Sequence, residues 1–270
     1  MFRLLSVVTA LLCLCVGPAR AEQRIALVVG NGAYVRNPAL ANPVADAQLI
    51  ARTLGGLGFQ VTQLINANQA QMKGAIADFG RALRAGGPDT VGLFYYAGHG
   101  VQAAGNNYLI PIGSAIRDEA DLDLVGVEGR WVVRQMESAR NVTNIVILDA
   151  CRDNPFAAST GSSSHGLARM DAPTGTFIAY ATAPGEVATD GRGTNSPFTA
   201  ALAAAMTQPG LPIEQAFKQV RVQVLRETAG RQTPWDSSSL VQNFAFSPAA
   251  VPVRTEREAW DSVRGSRDPV

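Results

Sequence analysis

TNIVILDACRDNPF, residues 143–156, joins a short apolar run to a polar tail that carries a cysteine. Ile145-Val-Ile-Leu148 is β-branched and does not alternate with polar residues, which is the pattern of a strand buried on both faces, as in parallel sheets. Asp149-Ala-Cys-Arg-Asp-Asn-Pro ends that strand, so the spacing predicts Cys151 just past its carboxyl end. In open α/β sheets the crevice beyond the strand ends is where ligands bind and chemistry is placed. A second run of this kind, inside TVGLFYYAGHG at 90–100, also ends in a turn, and that turn carries His99. Neighbouring places in one parallel sheet bring His99 and Cys151 to the same edge.

Working outward, residues 24–30, RIALVVG, read as the first buried strand. Apolar positions at helical spacing follow over 46–54, and Gly55, Gly56 and Gly58 stop that helix. Residues 59–65 form a strand candidate, and 68–83 repeat the helical pattern with Met72, Ile76, Phe79 and Leu83 on one face. The resulting β-α-β-α-β order is that of a right-handed parallel sheet covered by helices. Further along, 100–111, with Gly105-Asn-Asn ahead of Tyr108-Leu-Ile, predict a small hairpin, and 127–139 a helix. The Ser/Gly/Ala-rich 157–170 predict a mobile loop within a joining segment that reaches to 174. Strands are expected at 175–182 and 240–246, and helices at 196–206 and 213–228. The fold class expected is a three-layer α/β/α sandwich with a mostly parallel sheet of about six strands.

The ends of the chain have a different composition. Arg3, the apolar run from Leu4 to Val16 and Ala19-Arg20-Ala21 have the pattern of a secretory signal peptide over 1–21, its apolar part too short to span a bilayer comfortably. The expectation is an exported, periplasmic or extracellular protein with no stable membrane insertion after cleavage, a domain over 22–247 and a polar tail or linker over 248–270. Cys13 and Cys15 leave with the signal, so Cys151 remains the single thiol. A net charge of +1 gives no argument for nucleic acid as partner. One cysteine and two histidines exclude a cysteine-rich zinc site. Gly30-Asn-Gly32 after a strand has Val35 where a dinucleotide fingerprint needs its third small residue.

YYAGHG followed by ILDACRDNPF resembles the caspase-like cysteine peptidases of clan CD, most closely their bacterial branch related to metacaspases and paracaspases. His99 precedes Cys151 by 52 residues, close to the roughly 50 of the caspase signature. The likeness runs from Arg24 to about Phe246. It implies a cysteine endopeptidase acting on protein or peptide substrates, with Cys151 as nucleophile and His99 as base, through a thioester intermediate. It also implies an oxyanion site made by the backbone N–H groups of Gly100 and Cys151. For Cys151 the alternative is a small buried hydrophobe, and for Gly100 an ordinary turn glycine. His165, the second histidine, reads as a solvated loop side chain.

The resemblance extends to substrate choice. Metacaspases carry acidic pocket residues and cut after Arg or Lys, and Asp149 and Asp46 match those two positions. Asp46 reads equally as an acid complementing the dipole at a helix start. Arg36 and Arg152 favour the opposite, an enzyme cutting after Asp as caspases do. Trp235 and Asp236 fall in a loop that borders the substrate groove in relatives, and Arg169 stands where related enzymes cut themselves. Many metacaspases bind calcium, but Gly113 and Ala158 replace acids of that cluster, so no metal or cofactor is expected, and Asp118, Glu119, Asp121 and Asp123 read as a solvated loop. The rival class is a caspase-like fold without turnover, acting as a binding or scaffold module. Oligomeric state is left open by these residues.

Overall fold

The computed structural model describes residues 22–35, 39–150, 166–184, 186, 188 and 193–249. Its main sheet contains β1 (Arg24–Gly30), β2 (Gln60–Ile65), β3 (Val91–Ala97), β7 (Thr143–Asp149), β8 (Thr176–Tyr180) and β9 (Trp235–Ser238). Their order is β2-β1-β3-β7-β8-β9, parallel except for β9, which runs antiparallel to β8. A smaller antiparallel sheet holds β4 (Gly100–Ala103), β5 (Asn106–Leu109) and β6 (Val127–Glu128). This is the α/β class and mostly parallel six-stranded sheet expected from the alternation.

Helices cover both faces. On one side α1 (Pro43–Gly56) packs against β1 and against α5 (Pro197–Met206), which in turn packs on α6 (Ile213–Glu227). On the other, α2 (Gln69–Gly86) meets α4 (Gly129–Glu137). A short α3 (Asp121–Val125) precedes β6. Every residue of β3 and β7 is buried, as the unalternated apolar runs require.

Local chemistry explains several element starts. Asn68 accepts from the Gln71 N–H at 3.0 Å while the Gln71 side chain accepts from the Asn68 N–H at 2.9 Å, a reciprocal cap that opens α2. Pro43 and Pro197 stand in the first turns of α1 and α5, where no donor is lost. A Cβ added at Gly30 would lie 2.5 Å from both the Ala47 Cβ and the Pro43 carbonyl oxygen, so only glycine lets α1 sit this close to the end of β1.

The expected hairpin is present as β4 and β5, turning at Ala104-Gly105, both with positive φ, the two-residue geometry that matches strand twist. Three expectations are corrected. Val127 and Glu128 pair with β5 instead of opening a helix, which begins at Gly129 and ends at Glu137. Residues 240–246 are no strand; among the described residues the last strand is β9. Phe244 and Phe246 are buried, and the Arg24 guanidinium donates to the Phe246 carbonyl at 2.5 Å and sits 5.4 Å from the centre of the Phe244 ring. Side-chain burial and two isolated bridges, Pro209 with Ser247 and Pro212 with Ala245, hold this segment in place of sheet pairing. Finally, 166–170, the end of the expected mobile loop, is fixed by buried contacts described below.

Candidate active site

Three parallel strands deliver their carboxyl ends to one edge. Ala97 of β3 is opposite Asp149 of β7, and Gly98 N–H reaches the Asp149 carbonyl at 3.4 Å. His99 follows Ala97 by two residues, at the junction of β3 with the small sheet, and is 3 % exposed. Its backbone is held on both sides. The N–H donates to the Tyr34 hydroxyl at 3.0 Å, and the carbonyl accepts from the Tyr96 hydroxyl at 2.8 Å and from the Ile110 N–H at 3.0 Å. The Tyr34 ring lies against the imidazole, centroids 4.5 Å apart and tilted by 54°. Cys151, the expected nucleophile, lies outside the described residues, as do Arg36, Arg152, Ala158 and His165, residues 1–21, 157–165 and 250–270.

Gly100 opens β4 in tight surroundings. A Cβ there would lie 3.0 Å from Leu167 Cδ2 and 3.1 Å from the Ala150 Cβ. The last described residue before Cys151 is thus in contact distance of the glycine after the histidine.

Asp46 and Asp149 are brought together. Both are buried, and both bond to Ser196, the residue that caps α5. Asp46 Oδ1 accepts from the Ser196 N–H and from Asn195 Nδ2, each at 2.9 Å. Asp149 Oδ2 accepts from Ser196 Oγ at 2.6 Å and Thr199 Oγ1 at 2.8 Å. Beneath them the Tyr95 hydroxyl lies 2.5 Å from Thr199 Oγ1. Burial first, then the charges of Asp149 and Asp46, push the Tyr95 phenol well above its ordinary pKa, so it stays protonated. Donors and a helix N-terminus converge on two carboxylates, an arrangement that keeps buried negative charge hydrogen-bonded. Asp46 therefore serves the start of α5 as well as lying in the first turn of its own helix.

The remaining sequence candidates are dispersed. Trp235 opens β9 opposite Tyr180 and is 40 % exposed, on the side where the parallel strands end. Asp236, the next residue, is ion-paired to Arg221 of α6, whose Nε also donates to the Pro234 carbonyl at 2.8 Å. Arg169 is solvent-facing near Asp171, at 3.9 Å, yet its neighbours are anchored. Asn107 donates to the Ala168 carbonyl and accepts from the Ala168 N–H, both at 2.7 Å, the Met170 N–H donates to the Tyr180 hydroxyl at 2.9 Å, and Leu167 is buried beside Gly100.

The acidic stretch is also more ordered than a solvated loop. Asp121 begins α3 and is chelated by Arg117, whose backbone N–H and Nε reach Oδ2 at 2.9 and 3.1 Å; this holds its carboxyl below the usual range. Asp123 accepts from the Tyr108 hydroxyl. Among the described residues no three His, Cys, Asp or Glu side chains gather as metal ligands, and no helix is long and apolar enough to cross a membrane.

Sequence reasoning missed Tyr34, Tyr95, Tyr96, Asn107, Ser196 and Thr199 as site residues. Tyr95 and Tyr96 were read only as strand-formers, and Ser196 only as a helix start. The short polar side chain followed by proline was a cap signal, and nothing in it told which acids the cap would meet.

A mostly parallel six-stranded sheet covered by helices, with a buried histidine and two buried carboxylates at its carboxyl edge, is consistent with a caspase-like α/β fold. The family profile described as "Caspase domain" matches residues 23–245, and the chain belongs to that family. Human mucosa-associated lymphoid tissue lymphoma translocation protein 1 is 30 % identical over 134 residues, covering 49 % of this chain and 15 % of that protein. Its mouse homolog is 30 % identical over 138 residues, covering 50 % and 16 %. The chain thus spans only a small part of the length of the curated relatives it matches. Membership makes the chain a caspase-like protease or related module.

Proposed function

We propose that this chain is an exported cysteine endopeptidase that cuts peptide bonds after Arg or Lys with a His99/Cys151 dyad. His99 takes the Cys151 thiol proton and the thiolate attacks the scissile carbonyl. The oxyanion is received by the backbone N–H groups of Gly100 and Cys151. The tetrahedral adduct collapses to a thioester, the amine leaves with the proton held by His99, and water, deprotonated by His99, releases the acid and restores the thiol. The cycle as written needs no cofactor. A side chain at Gly100 would crowd Leu167 and Ala150, so glycine suits the close approach of the chain before Cys151 to this residue.

The observation that carries the specificity is the convergence of Asp46 and Asp149 on Ser196 at the carboxyl edge of the sheet, where β3, paired with β7 up to Asp149, runs on to His99. Two neighbouring carboxylates favour a guanidinium or ammonium and repel an acidic side chain. Export is supported by the Leu4 to Val16 run and Ala19-Arg20-Ala21, and an N-terminus at Glu22 in the secreted or periplasmic protein is its test.

The test of the chemistry is hydrolysis of fluorogenic peptides ending in Arg, Lys or Asp, with and without calcium, by the natural protein and by Cys151→Ala. Cleavage after Arg or Lys that is lost in Cys151→Ala, and a fall of at least about tenfold in kcat/KM for Arg peptides in Asp149→Asn, are expected. Cleavage after Asp keeps the dyad and removes the roles given to Asp46 and Asp149. No cleavage, with a thiol inert to alkylating peptide probes, makes the chain a caspase-like binding module.

A further inference from the structure

His99 is held by its main chain, and two phenols from different elements do most of the holding. Tyr34 follows the end of β1, Tyr96 belongs to β3, and both are buried. The Tyr34 hydroxyl accepts the His99 N–H at 3.0 Å and donates to the Ile110 carbonyl at 2.9 Å. The Tyr96 hydroxyl lies 2.8 Å from the His99 carbonyl and 3.1 Å from the Ile110 carbonyl; with one proton it serves one of them at a time or shares it. The two hydroxyls are 3.3 Å apart. Ile110 closes the ring by donating its N–H to the His99 carbonyl at 3.0 Å, and its own carbonyl accepts from Asn31 Nδ2 at 3.3 Å. The Gly98 backbone is threaded between the same groups: a Cβ there would lie 2.6 Å from the Tyr96 hydroxyl and 2.8 Å from the Tyr34 hydroxyl.

These contacts form a closed circuit around one residue, joining β1, β3 and the chain that leaves the small sheet. It fixes both peptide groups flanking the His99 Cα, while the Tyr34 ring, 4.5 Å from the imidazole centre, limits how that ring can turn. Burial, with the neighbouring Tyr34, holds the Tyr96 phenol well above its ordinary pKa, so its donor persists across the working range of a histidine base.

From this geometry we infer that the hydroxyls of Tyr34 and Tyr96 are positioning groups for His99, setting the orientation in which its imidazole meets the nucleophile. The inference rests on His99 being the base, as proposed above. A base displaced by a fraction of an ångström loses its hydrogen bond to the thiol, and misplacement by about 1 Å costs on the order of a hundredfold in rate.

Tyr34→Phe and Tyr96→Phe keep the rings and remove one oxygen each. The kcat for an Arg peptide is expected to fall about 10- to 100-fold in either variant, with KM within about twofold, because both tyrosines are buried with their hydroxyls on His99 and Ile110. In a Cys151→Ala background, the imidazole C–H signal of His99 in carbon–proton correlation spectra is expected to shift or broaden in both variants, while that of His165 stays put. Unchanged kcat overturns the inference. So does a fall in kcat that follows a lowered melting temperature with an unmoved His99 signal, since that is a stability effect. If the natural protein cleaves no peptide, the dyad reading fails separately, and the His99 signal still decides whether the two hydroxyls hold this residue: a signal unmoved in both variants ends the claim.

Discussion

At the scale of single residues, Ser196 does three things with one backbone N–H and one hydroxyl. Its N–H donates to Asp46, its Oγ donates to Asp149 at 2.6 Å, and the same Oγ accepts from the Thr199 N–H at 3.0 Å to cap α5. Ser196→Ala keeps the first and removes the other two. A lost cap costs about 1 kcal/mol, and a buried carboxylate that loses a donor costs about 1–3 kcal/mol. Thr199 Oγ1 still reaches Asp149, so a total of about 1–3 kcal/mol is expected. Urea unfolding should show it as a lower midpoint with an unchanged slope; a loss under about 0.5 kcal/mol would mean that Thr199 and water satisfy Asp149 alone. The two acids were legible in the sequence because a family resemblance marked their positions. Their shared partner was not, since Ser196 lies 150 residues from Asp46 and 47 from Asp149, and contacts that distant leave no local pattern. The tyrosines around His99 were hidden for a related reason: in an apolar strand a tyrosine reads as a packing residue, and only the folded chain reveals what its hydroxyl meets.

At the scale of elements, the alternation of strand and helix up to β3 was readable because each change of period is written in the spacing of apolar residues. The reading failed where tertiary burial replaced regular pairing, as at Phe244 and Phe246, and where composition stood in for contacts, as at 166–170. Serine, glycine and alanine suggested mobility there, yet this segment is bound much as a peptide strand would be. The Asn107 carboxamide takes both backbone groups of Ala168, and Leu167 and Met170 are buried on either side. Arg169 stands where related enzymes cut themselves, and any cleavage after it would require the segment to come away from Asn107 first. Asn107→Ala removes two hydrogen bonds, together about 1–3 kcal/mol, and local opening should rise about 5- to 100-fold, given tenfold per 1.4 kcal/mol. Trypsin supplies an independent probe. In a Cys151→Ala background, the fragment ending at Arg169 should appear at least about fivefold faster in Asn107→Ala, read by mass spectrometry. Equal rates would show that Leu167 and Met170 hold the segment without Asn107.

At the scale of the whole molecule, the sheet that places His99 also stores phenols in its interior. Tyr95 and Tyr96 are consecutive in β3, so their side chains point to opposite faces: Tyr95 toward Thr199 and the two carboxylates, Tyr96 toward Tyr34 and the small sheet. That division could not be read from the sequence, because a strand buried on both faces shows no alternation to say which residue faces which layer. It has a consequence for alkaline stability. Burial raises Tyr95 and Tyr96 well above the ordinary value, and burial with the Asp123 carboxylate raises Tyr108 to about 12. In the unfolded chain these phenols titrate near 10. Above that pH the unfolded state has given up protons that the folded state keeps, so stability is fully present below about pH 10 and declines as pH rises past it; the Tyr108 share is gone once pH passes about 12. The phenolate absorbance of Tyr95 and Tyr96 should therefore emerge only together with loss of the folded circular dichroism, and Tyr108→Phe, which gives up the bond to Asp123, should make the decline between about pH 10 and 12 shallower. Phenolate absorbance equivalent to all five tyrosines, recorded while the dichroism is still intact, would show that water reaches both faces of β3 and that neither hydroxyl is as enclosed as its hydrogen bonds to the site require.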